Sequence, residues 1–109
     1  MSLSQKNNIL AITLGDPAGV GPEVAFKACK QINLPDTILI IIARVEMLKE
    51  LYPEFLQEFD VVKNISGTLS TGSTYILDMQ LDLPIPEKGK GTTDTGKESL
   101  AYIDEAIDL

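Results

Sequence analysis

Three glycines, two prolines and two carboxylates fall within nine residues, Gly15-Asp16-Pro17-Ala18-Gly19-Val20-Gly21-Pro22-Glu23. Such a segment can hold a ligand against its own backbone. Glycines admit a ligand close to the main chain, and free N–H groups at a helix start attract anions. Asp16 and Glu23 add carboxylates that can pair with a cation or orient a hydroxyl. The glycine spacing is G-x-x-x-G-x-G, which is not the G-x-G-x-x-G of dinucleotide folds, and no Gly-Lys-Ser/Thr follows to make a Walker loop. The two acids oppose a simple phosphate cradle. A tight strand-to-helix turn, with Asp16 bonding its own backbone, is the competing account of the same residues.

Other chemistry is excluded by counting. The chain has no histidine and one cysteine, Cys29. A zinc site built from this chain is not expected, and Ser-His-Asp or Cys-His catalysis is impossible within it. No catalytic residue and no metal ligand is assigned. Carboxylates leave an oxygen-ligand magnesium site open. Cys29, Tyr52, Phe55 and Phe59 read as core or contact residues, Arg44 as a solvated helix-start arginine ahead of an anion-binding one, and Lys88 and Lys90 as part of a flexible basic loop ahead of phosphate contacts.

The elements that must position the glycine loop follow from periodicity. Residues 9–14 form a nearly continuous apolar run, as in a parallel strand covered on both faces. Pro22 opens a helix whose apolar face is expected to be Val24, Ala25, Ala28, Cys29 and Ile32, with Glu23 favoured by the helix dipole. Thr37 to Ala43 is a second strand, apolar on both faces. Arg44 to Tyr52 reads as a helix interrupted by Pro53, which can start a short helix carrying Phe55, Leu56 and Phe59. Residues 60–64 are a weak strand and 74–78 a better one. Pro84 and Pro86 keep 83–86 out of a sheet. Thr95 to Glu98 matches a capping box with Thr95 as N-cap, ahead of a stripe of Leu100, Ile103 and Ile107 widened by Tyr102, Ala106 and Leu109. The stripe stops without a Gly, Pro or basic cap, which reads as a helix cut in mid-face and a chain belonging to a longer protein.

Strand and helix alternate, so the fold class is α/β with a mostly parallel sheet, flanking helices and right-handed connections. The 109 residues suit one domain, 44% hydrophobic and 23% charged. Residues 1–8 read as a disordered or expression-derived tail and 9–109 as one α/β segment. The net charge is −7, and residues 78–109 alone carry eight acids against three bases. No basic stripe exists for nucleic acid, an anionic membrane surface is an equally poor partner, and no apolar run approaches the roughly 20 residues of a bilayer span. A lone cysteine and a polar N-terminus fit a reducing, cytoplasmic setting.

Residues Ile12 to Val24 closely resemble the N-terminal signature of the 4-hydroxythreonine-4-phosphate dehydrogenase family of pyridoxal phosphate biosynthesis and its close paralogues, over thirteen contiguous positions that include Gly-Asp-Pro-Ala-Gly. The Gly89 to Leu109 region resembles that family less specifically. The resemblance implies a segment of an isocitrate/isopropylmalate dehydrogenase-like fold, forming the N-terminal part of a larger two-domain dehydrogenase. It implies NAD or NADP, and a divalent metal (zinc, magnesium or cobalt) bound by residues outside this chain. It implies a homodimer that oxidises 4-phosphonooxy-threonine, whose keto-acid product loses carbon dioxide to give 3-amino-2-oxopropyl phosphate. Gly15, Asp16, Pro17, Ala18, Gly19 and Gly21 become the candidate cofactor-binding residues. The 109 residues alone are expected to be inactive. The alternatives are a paralogue acting on threonate or erythronate 4-phosphate, a binding module of the same fold without catalysis, and, last, an acyl-phosphate transferase of related fold.

Overall fold

The computed structural model describes residues 8–15, 18–65 and 69–108. In chain order its elements are β1 (Asn8–Thr13), α1 (Gly21–Gln31), β2 (Thr37–Ala43), α2 (Val45–Leu51), α3 (Pro53–Leu56), β3 (Asp60–Val62), β4 (Thr74–Asp78) and α4 (Thr93–Asp108). The strands form one sheet in the order β1-β2-β4-β3, and every pairing is parallel. Ile12, Ile41, Ile76 and Val61 stand in register across it. All four carboxyl ends therefore meet along one edge, where open α/β sheets bind ligands.

The two-faced apolar pattern of Thr37 to Ala43 is what the centre of a parallel sheet requires, and β2 is buried at every position after Thr37. β1 departs from the same expectation. It lies at the sheet's edge, and Ile9 and Leu10 remain 43% and 46% exposed. An apolar run marks a strand but not its place in the order.

α1 also turns differently from its apolar pattern. Pro22, Phe26 and Cys29 face inward, while Val24 is 61% exposed and Ala28 and Ile32 are exposed. Aromatic area decides the rotation. Phe26 stacks on Phe55 of α3 with ring centroids 4.5 Å apart and meets Phe59 at 5.7 Å, and such pairs add about 0.5–1.5 kcal/mol beyond their buried area. Val24 and Ala28 on the outward face offer less, while Ala25 is partly buried against the core.

The start of α4 corrects the capping box. Thr92 is the cap. Its Oγ1 accepts from the Thr95 N–H at 3.2 Å, and Thr95 Oγ1 accepts from the Thr92 N–H at 2.8 Å. This reciprocal pair uses a threonine where Glu or Gln usually stands. It frees Glu98, one turn further on, to face the interior beside Tyr102. Leu100, Ile103 and Ile107 are exposed at 63%, 44% and 76%.

Candidate functional site at the carboxyl edge of the sheet

Buried Leu14 follows β1, and Gly15 turns the chain with φ +71°, a conformation that residues other than glycine resist. Gly21 opens α1 against Leu14. A Cβ there would lie 2.1 Å from the Leu14 carbonyl oxygen. Two of the three glycines thus have reasons internal to the backbone: one a left-handed turn, the other a close approach by the chain itself. Ala18 is buried, whereas Gly19 is exposed. Asp16 and Pro17, the remaining candidates, lie outside the described residues.

The loop borders an open cleft of about 320 Å³. Ala18, Gly19 and Val20 line it from the loop, Glu23 from α1, Tyr52 from the end of α2, and Lys88 and Gly89 from the segment before α4. Lys88 Nζ sits 4.2 Å from the centre of the Tyr52 ring, and the Gly89 N–H donates to the Ala18 carbonyl at 2.6 Å. The stretch read as a flexible basic loop is therefore docked on the glycine loop. Lys90 turns instead to Glu87, at 3.2 Å. Burial, then the charges of Glu23 and Glu54, push the Tyr52 hydroxyl above its ordinary pKa, so it stays a neutral group. The cleft offers one ammonium, one carboxylate, a phenol and the start of an eleven-residue helix. That set can meet a phosphate and a hydroxyl together.

A second cleft of about 560 Å³ opens at the ends of β2 and β4, lined by residues 44–46, 49 and 78–82. Asp78 closes its floor by accepting the Val45 N–H at 3.0 Å, which ties the end of β4 to the start of α2.

Arg44 is the largest correction to the sequence reading. It is 1% exposed, not solvated. Nη1 donates to the Leu83 carbonyl at 2.6 Å and to that of Leu81 at 3.4 Å, and Nη2 donates to the Pro84 carbonyl at 3.1 Å and to Glu98 Oε1 at 2.6 Å. Nε has no partner among the described residues. The other Glu98 oxygen accepts from the Tyr102 hydroxyl. Burial, then the bond to Glu98, drives the Tyr102 pKa well above its usual range. Sequence offered a faint signal for this cluster. An arginine directly after an all-apolar strand must either leave the core or find an acid there, and the Glu-x-x-x-Tyr spacing of 98 and 102 places both on one helix face.

Among the described residues no group of three or more His, Cys, Asp or Glu could hold a metal ion. No described helix is long and apolar enough to cross a membrane. Cys29 is buried and unpaired by any disulfide, as its place in the core requires.

No protein-family model matches the chain. It is 33% identical over 101 residues to the 4-hydroxythreonine-4-phosphate dehydrogenase of Thermosynechococcus vestitus, covering 90% of this chain and 27% of that protein. It is 28% identical over 102 residues to the enzyme of the same name from a Nostoc species, with the same coverage. It is 29% identical over 105 residues to the D-threonate 4-phosphate dehydrogenase of Salmonella typhimurium, covering 92% of this chain and 32% of that one. A solved structure from Salmonella typhimurium, described as a candidate 4-hydroxythreonine-4-phosphate dehydrogenase, superposes with a TM-score of 0.70 at 26% identity over 95% of this chain and 34% of the other. The chain spans about a third of the length of the curated relatives it matches. The resemblance first carried by Ile12 to Val24 thus extends over 90% of the chain, which is similar in sequence and in fold to the 4-hydroxythreonine-4-phosphate dehydrogenases and to the related D-threonate 4-phosphate enzymes.

Proposed function

We propose that this chain is the glycine-loop part of an NAD(P)-dependent dehydrogenase that oxidises the hydroxyl of a phosphorylated hydroxy acid. The preferred substrate is 4-phosphonooxy-threonine, with loss of carbon dioxide from the keto acid. The observation that carries the reading is the parallel-sheet edge at which the loop after β1, the start of α1 and Lys88 converge on one cleft, in a chain similar to dehydrogenases named for such substrates.

Each described residue has a part in this reading. Gly15 and Gly21 set the path of the loop, and the small Gly19 leaves its backbone open to a cofactor. Ala18 holds Gly89 in place, and Lys88 supplies positive charge for a phosphate group. Asp16 and Pro17 complete the proposed cofactor-binding set. These residues would hold a nicotinamide cofactor, which would supply a hydride acceptor for the oxidation of the hydroxyl. The divalent metal is assigned to residues outside this chain, and no step is derived through it. An isocitrate dehydrogenase-like two-domain fold, a homodimeric assembly and a cytoplasmic setting belong to the same proposal. The 109 residues alone are expected to turn nothing over, since an incomplete cleft forfeits most of the buried contact that gives affinity.

D-threonate 4-phosphate is the second substrate reading, favoured by the relatives that bear that name. The test is to assay the full-length protein with both phosphorylated acids, with NAD and NADP, and with added zinc or magnesium. Cofactor reduction on the threonine derivative supports the first reading, and reduction confined to threonate phosphate selects the second. No reduction on either overturns the dehydrogenase.

A further inference from the structure

We propose that Arg44 is a positioning residue. From the core it clamps the strap of residues 79–91, and through that strap it fixes Lys88 and Gly89 on the glycine loop. The strap has no regular secondary structure, so its carbonyl groups find no ladder partners. Burying them without donors would be costly, and the Arg44 guanidinium supplies the donors for Leu81, Leu83 and Pro84. Glu98 and Tyr102 fix the guanidinium in turn from α4.

The clamp reaches the cleft because the arm beyond it is stiff. Pro84 and Pro86 bracket Ile85, and proline locks its own φ and restrains the residue before it. Only a few residues later the Gly89 N–H meets the Ala18 carbonyl at 2.6 Å, and Lys88 rests on the Tyr52 ring. One end of the strap is thus bolted to the interior and the other forms a wall of the cleft. Lysine cannot replace arginine here, because one ammonium lacks the planar fork that serves several acceptors at once.

The test is amide hydrogen exchange, read peptide by peptide, on the full-length protein without ligand. Arg44→Lys should accelerate exchange on the order of tenfold in the segments that carry the Gly89 and Lys90 amides, which are bonded to the Ala18 and Glu87 carbonyls, while β2 and β4 keep their protection, because local opening is separable from global unfolding. Tyr102→Phe, which removes one bond to Glu98 and keeps the packing, should accelerate the same segments less. Faster exchange spread evenly over β2 and β4 would make Arg44 an ordinary core pin and overturn the proposal. So would unchanged exchange at the Gly89 and Lys90 amides. If Arg44→Lys fails to fold, Tyr102→Phe is judged by the same outcomes. The measurement uses no substrate, so its failure is distinct from failure of the dehydrogenase reading.

Discussion

Arg44 at the carboxyl end of β2 and Glu98 on α4 stand 54 positions apart in sequence and meet at 2.6 Å, each side chain 1% exposed. Two charges so deeply buried do not by themselves stabilise a fold, because their desolvation offsets most of their attraction. What they do is specify. The pair fixes how α4 lies against the end of β2, and with it the course of the segment between β4 and α4.

Removing one member of that pair leaves the other charged in the core. Glu98→Ala is expected to cost about 3–5 kcal/mol, read as a fall in the urea midpoint. A loss below about 1 kcal/mol would show that water reaches Arg44.

The Tyr102 hydroxyl makes the protein sensitive to alkali. Its folded pKa is raised above the ordinary 10.0, so the unfolded chain releases this proton first. The stability it contributes is complete below pH 10 and declines as pH climbs above it, by up to about 1.4 kcal/mol per pH unit. Tyr102→Phe should flatten that alkaline decline in denaturation curves measured on both sides of pH 10.

The two constrained glycines should respond unequally. Gly21→Ala drives a Cβ into the Leu14 carbonyl, 2.1 Å away, and is expected to cost about 3 kcal/mol or more. Gly15→Ala meets open space but keeps φ +71°, at about 1–2 kcal/mol. Thermal melts of the two variants, side by side, check the order.

The inward face of α1 is tested by a contrast. Phe26→Ala removes a fully buried ring stacked on Phe55 and should cost about 3–5 kcal/mol. Val24→Ala, at a position 61% exposed, should stay within about 0.5 kcal/mol. Equal losses would return Val24 to the core, as its apolar neighbours suggest.

Leu100, Ile103 and Ile107 form an exposed apolar stripe on α4, and such stripes drive association. The 109-residue chain alone should sediment with a mass that rises with concentration. Ile103→Lys together with Ile107→Lys should return it to a concentration-independent monomer.

The elements were legible wherever local chemistry left one choice. The isoleucine run of β2 marks a strand, although the similar run of β1 shows that the pattern alone does not separate a central strand from an edge one. Thr74 to Asp78 was delimited by its flanking loops, and Gly15 to Pro22 could only turn a strand into a helix. The absence of histidine settled which catalytic chemistries this chain cannot perform. Which helix face turns inward was not legible, because Val24 and Phe26 are both apolar and only the position of Phe55 chooses between them. The fate of Arg44, Thr95 and Glu98 was hidden for the same reason. A threonine followed three residues later by glutamate satisfies a local capping rule, and nothing nearby in sequence reveals an arginine 54 positions earlier that requires that carboxylate. Local pattern fixes what each segment can be. Burial and charge compensation act between segments far apart in sequence, so the tertiary structure alone decided which side chains meet at the edge of the sheet.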